Sequence, residues 1–254
     1  MIQTQSSAQT AEQPGVIPFP KVAAVQVCAY VVLVAVSACS PLRDLQGVVH
    51  VAYTTVPVVA AMALFTWCSS LRDGLAGRVI AAVAGALSLA CAMGQSLGAL
   101  FFPVRATGAE GTEPVGFYPQ ETWAAGVVGL LVALVLVSFA RQMAREDRSH
   151  LIRSLSHGVT GGVAMIAAPG WCFLPDLFAG CRAADGGPAL TVAWAACAVI
   201  AVLAVLLGIA SYLWARDANP VEGAAHPWLG IGLMPVMFLG PVVAVASLIV
   251  TLLA

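Results

Sequence analysis

Residues 188–214 read PALTVAWAACAVIAVLAVLLGIASYLW, an apolar run without a single charged side chain. A transmembrane helix needs about 20 consecutive, mostly apolar residues to cross the roughly 30 Å hydrocarbon core of a bilayer. A transmembrane β-strand would instead show about 9–11 residues of alternating polarity. The run therefore predicts a membrane-spanning α-helix.

Six more apolar runs flank this one, and the spacing predicts helices near 21–41, 48–71, 78–102, 122–143, 158–180 and 227–253. We expect an all-α, polytopic transmembrane helix bundle of about seven helices. Residues 21–254 would form this single domain, and the polar residues 1–20 would be a disordered cytoplasmic tail. The fifth helix contains Gly161, Gly162, Pro169, Gly170 and Pro175, so a kinked span and a re-entrant segment both stay open.

The composition of the chain excludes several classes of protein. Hydrophobic residues make up 60% of the 254 residues and charged residues 9%, whereas soluble domains carry roughly 25% charged residues. The mean hydropathy is +0.93. Since the chain has no basic stripe, nucleic-acid binding is excluded. A P-loop, an H-E-x-x-H motif and a G-x-S-x-G motif are all absent, the last helix has no lysine for a retinal Schiff base, and we expect no cofactor.

The distribution of the ten arginines and one lysine predicts the orientation. With the N-terminus in the cytoplasm, eight of these residues lie inside and three outside, which satisfies the positive-inside rule. The Arg-biased composition indicates a GC-rich, bacterial genome. We therefore expect a multi-pass protein of a bacterial plasma membrane, with its N-terminus inside and its C-terminus outside. Aromatic residues near predicted helix ends are interpreted as interfacial, namely Trp67, Trp123, Trp214, Trp228 and Tyr118.

A repeated pattern of Cys, Pro, Asp-Leu and Gly ends the first and fifth helices. It occurs in CSPLRDLQG (39–47) and again, with a one-residue shift, in CFLPDLFAG (172–180). This similarity predicts a 3+1+3 plan in which helices 1–3 and 5–7 form parallel repeats, an arrangement found in transporters. Chance similarity between Ala- and Val-rich helices is the alternative.

Ionisable side chains at the outer ends of the predicted helices form the candidate site. The acid/base candidates are Asp44, His50, Glu121 and Asp176, and the binding candidates on the same side are Arg43 and Arg105. Charged groups within or beside the membrane are functional candidates by default. Carboxylates placed together could act as acid and base, or could bind a proton or a cation. In the simpler interpretation, each is solvated among lipid headgroups.

Three further features bear on the site. Gln95 lies within a G-x-x-x-G pattern, so it is either a binding residue or part of a helix contact. Cys172 and Cys181 lie near the outer end of the fifth helix and could form a disulfide if that side is oxidising. The four histidines never occur at i, i+4 spacing, so we predict no helix-borne metal site.

Three short motifs carry a resemblance to a known family. They are SPLRDLQG (40–47), LFFP (100–103) and the His157-Gly158 pair that opens a helix. In these motifs the chain resembles bacterial multi-pass membrane proteins of Frag1/DRAM/Sfk1-like appearance. It departs from their pattern at Gln46 and in the extra helix before His157. The resemblance implies a membrane helix bundle and no particular chemistry.

Three functional hypotheses follow. The first is a carrier or a lipid-interacting protein, the second is a membrane-embedded enzyme acting on a lipid or isoprenoid, and the third is an accessory subunit of a membrane complex. The expected partners are accordingly membrane lipid, a lipid or small-molecule substrate, or another membrane protein.

Overall fold

The structure of the protein, a computed structural model, describes residues 18–39, 48–68, 74–93, 118–144, 151–182, 187–217 and 226–253. Within these ranges the chain is helical and contains no β-strand. This confirms the predicted all-α class. Residues 1–17, which make up most of the predicted tail, lie outside the described part of the chain.

The helices follow one another in the order that the apolar runs predict. They are α1 (Phe19–Cys39), α2 (Val48–Cys68), α3 (Gly74–Met93), α4 (Pro119–Met143), α5 (Leu151–Ala167), a 3-10 helix (Ala168–Phe173), α6 (Leu174–Cys181), α7 (Pro188–Asp217), α8 (Pro227–Phe238) and α9 (Gly240–Leu253). Two pairs of helices each form one continuous segment with a single interruption. They are α5–α6, interrupted by the 3-10 helix, and α8–α9, interrupted at Leu239.

Six helical segments in the described ranges are long and apolar enough to cross a membrane. They are Phe19–Cys39, Leu75–Met93, Pro119–Met143, Ser156–Cys181, Pro188–Arg216 and Pro227–Leu253. The fifth predicted helix is therefore among the segments of sufficient length. The remaining helix, α2, is 21 residues long, and its apolar part is Tyr53–Cys68. These lengths indicate a multi-pass membrane protein.

The interrupted segment α5–α6 is the most deeply buried of the six. In the most apolar window of Ser156–Cys181, 78% of the residues are buried, compared with 6% for α7. Large apolar side chains on α4 and α7, among them Val132, Leu136, Val202 and Leu206, are more than half exposed. Apolar patches of this extent are unusual on water-soluble proteins. The segment α5–α6 therefore forms the interior together with α8, whose residues 230–237 are all buried, and α7 presents most of its surface to lipid.

Prolines begin several helices and shift one predicted boundary. Pro119, Pro188 and Pro227 are the first residues of α4, α7 and α8. Proline is favoured at this position because the N–H it lacks would have no partner within the helix. As a result α4 begins three residues before the predicted start at 122, and Gln120 and Glu121 belong to its first turn.

The interpretation of Trp123 as an interfacial aromatic is wrong. Its side chain is only 2% exposed, and its ring centroid lies 5.8 Å from that of Phe173. The indole is buried because α4 turns this face toward the 3-10 helix. Trp67, by contrast, is 76% exposed near the end of α2, as an interfacial residue would be. Orientation and the 3+1+3 repeat stay predictions.

Candidate functional site

Both buried segments are interrupted at prolines. Pro169 lies in the 3-10 helix between α5 and α6. Pro241 follows Leu239 and Gly240, where α8 ends and α9 begins. Proline cannot donate to the carbonyl four residues earlier, and its ring clashes with that carbonyl, so it breaks the regular helix. The sequence predicts kinks at Pro57, Pro169, Pro235 and Pro241, and the helices are interrupted at two of these, Pro169 and Pro241, while the other two lie inside α2 and α8.

The two interruptions meet at Gly170 and Gly240, a contact we term the helix crossing. A Cβ atom added to Gly170 would collide with the carbonyl group of Gly240, and a Cβ atom on Gly240 would collide with the carbonyl oxygen of Ala167. Backbone therefore touches backbone without side chains between. Small residues at membrane helix interfaces permit this close approach.

Side chains from neighbouring helices bond the carbonyls around the first interruption. The Ser88 hydroxyl of α3 donates to the Ile166 carbonyl at 2.7 Å, and it accepts the indole N–H of Trp123 at 3.0 Å. On the other side, the Thr54 hydroxyl of α2 donates to the Cys172 carbonyl at 3.3 Å. Irregular backbone at membrane depth is tolerated where protein groups satisfy it in this way.

A hydrogen bond from the 3-10 helix also satisfies a carbonyl next to the second interruption. The Trp171 indole N–H donates to the Val236 carbonyl at 2.7 Å, and both groups are buried. Trp171 belongs to the 3-10 helix and Val236 to the last turn of α8. The two interrupted segments are therefore held together by a hydrogen bond as well as by the helix crossing.

A buried amide joins three helices close to these interruptions. The Gln120 side-chain amide of α4 donates to the Asp176 carboxylate of α6 at 2.9 Å and to the Ser247 hydroxyl of α9 at 3.0 Å. Gln120 is 3% exposed and Ser247 is fully buried, whereas Asp176 is half-buried. We call these three residues the polar cluster. It ties α4 to both interrupted segments.

The polar cluster has one hydrogen-bond acceptor without a described partner. The amide oxygen Oε1 of Gln120 is buried and has no hydrogen-bond partner among the described residues. A buried acceptor without a partner costs roughly 1–3 kcal/mol. The amide of Gln120 already donates both of its N–H groups, to Asp176 and to Ser247, so this oxygen can only accept a hydrogen bond from a further group. A bound donor, and above all a cationic one beside the Asp176 carboxylate, would satisfy it.

The polar cluster adjoins the first interruption. Gln120 and Trp123 lie three residues apart and so share one face of α4. Trp123 packs on Phe173, the last residue of the 3-10 helix, and Asp176 follows Phe173 by three residues on α6. A change in the shape of the interruption would therefore move the carboxylate of Asp176 relative to Gln120.

The structure gives separate partners to the predicted site residues that it describes. The Asp176 carboxylate accepts a hydrogen bond from Gln120, whereas the carboxylate of Glu121, the residue after Gln120, has a different partner. Glu121 accepts the backbone N–H of Tyr118 at 3.1 Å, so its carboxylate caps the N-terminus of α4. Capping by a carboxylate at this position satisfies a backbone donor that has no partner within the helix.

The other predicted site residues lie where the structure describes little. His50 belongs to the first turn of α2, but its side chain is not described. Outside the described residues lie Asp44, Arg43, Arg105 and Gln95. The prediction that they share a site with Asp176 stays a prediction. Among described residues, no group of three or more His, Cys, Asp or Glu side chains could hold a metal ion.

Cys172 and Cys181 are both free thiols in the structure, and each has a different neighbour. The Cys172 sulfur lies 3.9 Å from the Thr55 hydroxyl and is buried. The Cys181 sulfur lies 3.7 Å from the sulfur of Cys197 on α7. The structure does not bring Cys172 and Cys181 together, because both lie along one helical path nine residues apart.

Sequence reasoning missed Gln120, Ser88 and Ser247. Each is an uncharged polar residue in an apolar helix, and the search concentrated on ionisable groups. Gln120 was also assigned to a loop. The available signal was its position three residues before Trp123, since a glutamine and a tryptophan on the same helix face both need buried partners.

Comparison with known proteins gives no relative. No protein-family model, no curated protein and no solved structure matches this chain. The Frag1/DRAM/Sfk1-like resemblance stays a prediction, and the function must be inferred from the geometry of the molecule itself.

Proposed function

We propose that this chain is a membrane carrier that binds a small cationic solute at the polar cluster. The observation that carries the proposal is the buried Gln120, whose amide bonds Asp176 and Ser247 and whose carbonyl oxygen has no partner among the described residues. A carboxylate, an amide oxygen and a hydroxyl suit a ligand that donates hydrogen bonds and carries positive charge.

The two interrupted helices support a carrier. Many transporters bind their substrates beside discontinuous helices that lie against each other inside the bundle. Here Asp176 and Ser247 each lie on the second half of an interrupted segment, α6 and α9 respectively. A small rotation of either half about the helix crossing would open or close the polar cluster, as a carrier cycle requires.

The surroundings of the carboxylates favour a carrier over an enzyme. General acid–base chemistry needs a proton donor and acceptor within reach of the same substrate atoms. The described partner of Asp176 is an amide, which is neither an acid nor a base at neutral pH, and Glu121 caps α4. Among the described residues, the hypothesis of a lipid-modifying enzyme therefore has less support.

An apolar groove between α1, α2 and α8 favours lipid as a second ligand. The groove has a volume of about 260 Å³ and is lined almost entirely by apolar groups, including Val25, Leu33, Pro57 and Leu233. Its chemistry suits an acyl chain of the surrounding bilayer. We propose this as a structural lipid contact beside the carrier function.

We further propose that the protein is a bacterial plasma-membrane protein with its N-terminus inside. Eight of its eleven basic residues would then lie on the cytoplasmic side. In this orientation α4 begins and α6 and α9 end at the outer side, so the polar cluster would receive solute from outside the cell.

Thermal unfolding of the detergent-purified protein tests the site. The probes are methylammonium, tetramethylammonium and putrescine, each compared with sodium chloride at equal ionic strength. A probe at about 100 times its Kd stabilises the folded state by about 2.7 kcal/mol. We expect at least one probe to raise the Tm of the wild type and to have no effect on Asp176→Asn. Gln120→Leu should weaken binding roughly tenfold or more, because it removes a hydrogen bond to a charged group.

Gln26→Leu is the matched control, because Gln26 is also buried, at 5% exposure, but lies on α1. It should leave the response to the probe unchanged. The binding site would be contradicted if no probe stabilised the wild type beyond sodium chloride, or if the response survived Asp176→Asn. The carrier would be contradicted if a stabilising probe failed to enter proteoliposomes that contain the wild type.

A further inference from the structure

Two thiols face each other between α6 and α7. The sulfur atoms of Cys181, the last residue of α6, and Cys197, in the third turn of α7, lie 3.7 Å apart. Both residues are half-buried. By contrast, Cys68, Cys91 and Cys172 are buried among apolar side chains. The pair therefore combines proximity with partial access.

The backbones of α6 and α7 are close beside this pair. A Cβ atom placed on Gly180, the neighbour of Cys181, would lie 3.3 Å from the Cβ of Ala193. Ala193 precedes Cys197 by four residues and so lies on the same face of α7. Because a disulfide needs Cα atoms within about 7 Å of each other, this close packing is what a bridge requires.

We propose that Cys181 and Cys197 are a redox pair that closes to an intramolecular disulfide. The sulfurs must approach from 3.7 Å to about 2.05 Å, which rotation of the two side chains can supply. The pairing is between helices, and it replaces the predicted pairing of Cys172 with Cys181 within one helical path. The inference does not depend on the proposed carrier function.

The oxidant is a disulfide, either a small molecule or an oxidoreductase. The thiolate of one cysteine attacks a sulfur of that oxidant. This cysteine and the attacked sulfur form a mixed disulfide, and the other half of the oxidant leaves as the first thiol. The second cysteine then attacks the protein sulfur of the mixed disulfide and releases the second thiol. In total, Cys181 and Cys197 lose two electrons and two protons, and the oxidant disulfide is reduced to two thiols.

The expected consequence is a fixed contact between an interior helix and a lipid-facing helix. Asp176 lies five residues before Cys181 on α6, whereas most of α7 faces lipid. A bridge would prevent α6 from sliding along α7. Reduction would restore that freedom, so the thiol pair would control the mobility of the helix that carries Asp176.

The test uses the full chain in its native membrane and 4,4′-dithiodipyridine, an aromatic disulfide that enters lipid. After treatment, remaining thiols are blocked with N-ethylmaleimide, and the protein is digested without reduction and analysed by mass spectrometry. We expect a peptide that links Cys181 to Cys197 and that disappears after dithiothreitol. In Cys197→Ser the link should be absent, and Cys181 should carry a thiopyridyl adduct.

Cys172→Ser is the control and should keep the link. The oxidised wild type should also have a higher Tm than the reduced protein, whereas oxidation should leave the Tm of Cys197→Ser unchanged. The inference is overturned if Cys181 and Cys197 carry separate adducts in the wild type, or if Cys181 links to another cysteine.

Discussion

Gly240→Ala is expected to lower the free energy of unfolding by about 3 kcal/mol, at the upper end of the usual cost of overpacking a core. The new Cβ would collide with the Ala167 carbonyl oxygen, which belongs to the backbone and cannot swing aside as a side chain can. The two interrupted segments would have to separate at the helix crossing. Thermal or denaturant unfolding of the purified protein in mild detergent measures this effect.

Gly129→Ala is the matched control. A Cβ at Gly129, in the middle of α4, would meet no atom within 4 Å. Alanine is favoured over glycine within helices by up to about 1 kcal/mol, so this variant should be as stable as the wild type or more so. Equal effects of Gly240→Ala and Gly129→Ala would show that the helix crossing is not a tight backbone contact.

Ser88→Ala is expected to cost about 2–6 kcal/mol of folding free energy. The Ser88 hydroxyl accepts the Trp123 indole N–H and donates to the Ile166 carbonyl, and all three residues are buried. Alanine would leave both of those groups without their hydrogen-bond partner, at roughly 1–3 kcal/mol each. The same unfolding measurement applies, and a blue-shifted Trp emission maximum would report the lost indole bond.

Ser37→Ala provides the control for this substitution. Ser37 is 1% exposed, as buried as Ser88, but its hydroxyl donates to the Leu33 carbonyl of its own helix. That carbonyl belongs to the regular bonding of α1, so the loss should be below about 1 kcal/mol. If Ser37→Ala lowered the free energy of unfolding as much as Ser88→Ala, the hydrogen bond from Ser88 to the interrupted segment would contribute no more to stability than a bond within one helix.

A combined variant separates the two effects. Trp123→Phe removes the indole donor but keeps an aromatic ring against Phe173. In Ser88→Ala the cost includes an unpaired indole N–H, so adding Trp123→Phe should recover part of the lost stability. The coupling between the two substitutions should fall within the 0.5–3 kcal/mol that is typical of residues in one network.

The membrane architecture could be predicted from the sequence, for a simple reason. Whether a segment can cross a bilayer depends on its own length and polarity, and these are local properties of the chain. The runs at 188–214 and 227–253 therefore predicted helices that the structure has at Pro188–Asp217 and Pro227–Leu253. Four prolines, at positions 57, 169, 235 and 241, predict kinks. Interruptions occur at Pro169 and Pro241, whereas Pro57 and Pro235 lie inside α2 and α8.

The site was predictable only in part. Asp176 was identified from its charge near the membrane, and it does belong to the polar cluster. Its partner was expected among other ionisable residues, but the structure supplies the uncharged Gln120. Inside an apolar bundle a neutral amide is less costly to bury than a second charge, so the search for charged pairs missed it.

The sequence by itself determined an all-helical membrane chain of about seven apolar helices, of which the described residues contain six segments long and apolar enough to span a membrane. Only the tertiary structure decided that the breaks meet at Gly170 and Gly240, that Gln120 bonds Asp176 and Ser247, and that Cys181 faces Cys197. The reason is that helix formation depends on neighbours along the chain, whereas these contacts join residues that can be more than a hundred positions apart. The rotation and packing of the helices determine which side chains make contact. Because the apolar helices have similar compositions, a few glycines and buried polar groups determine that packing.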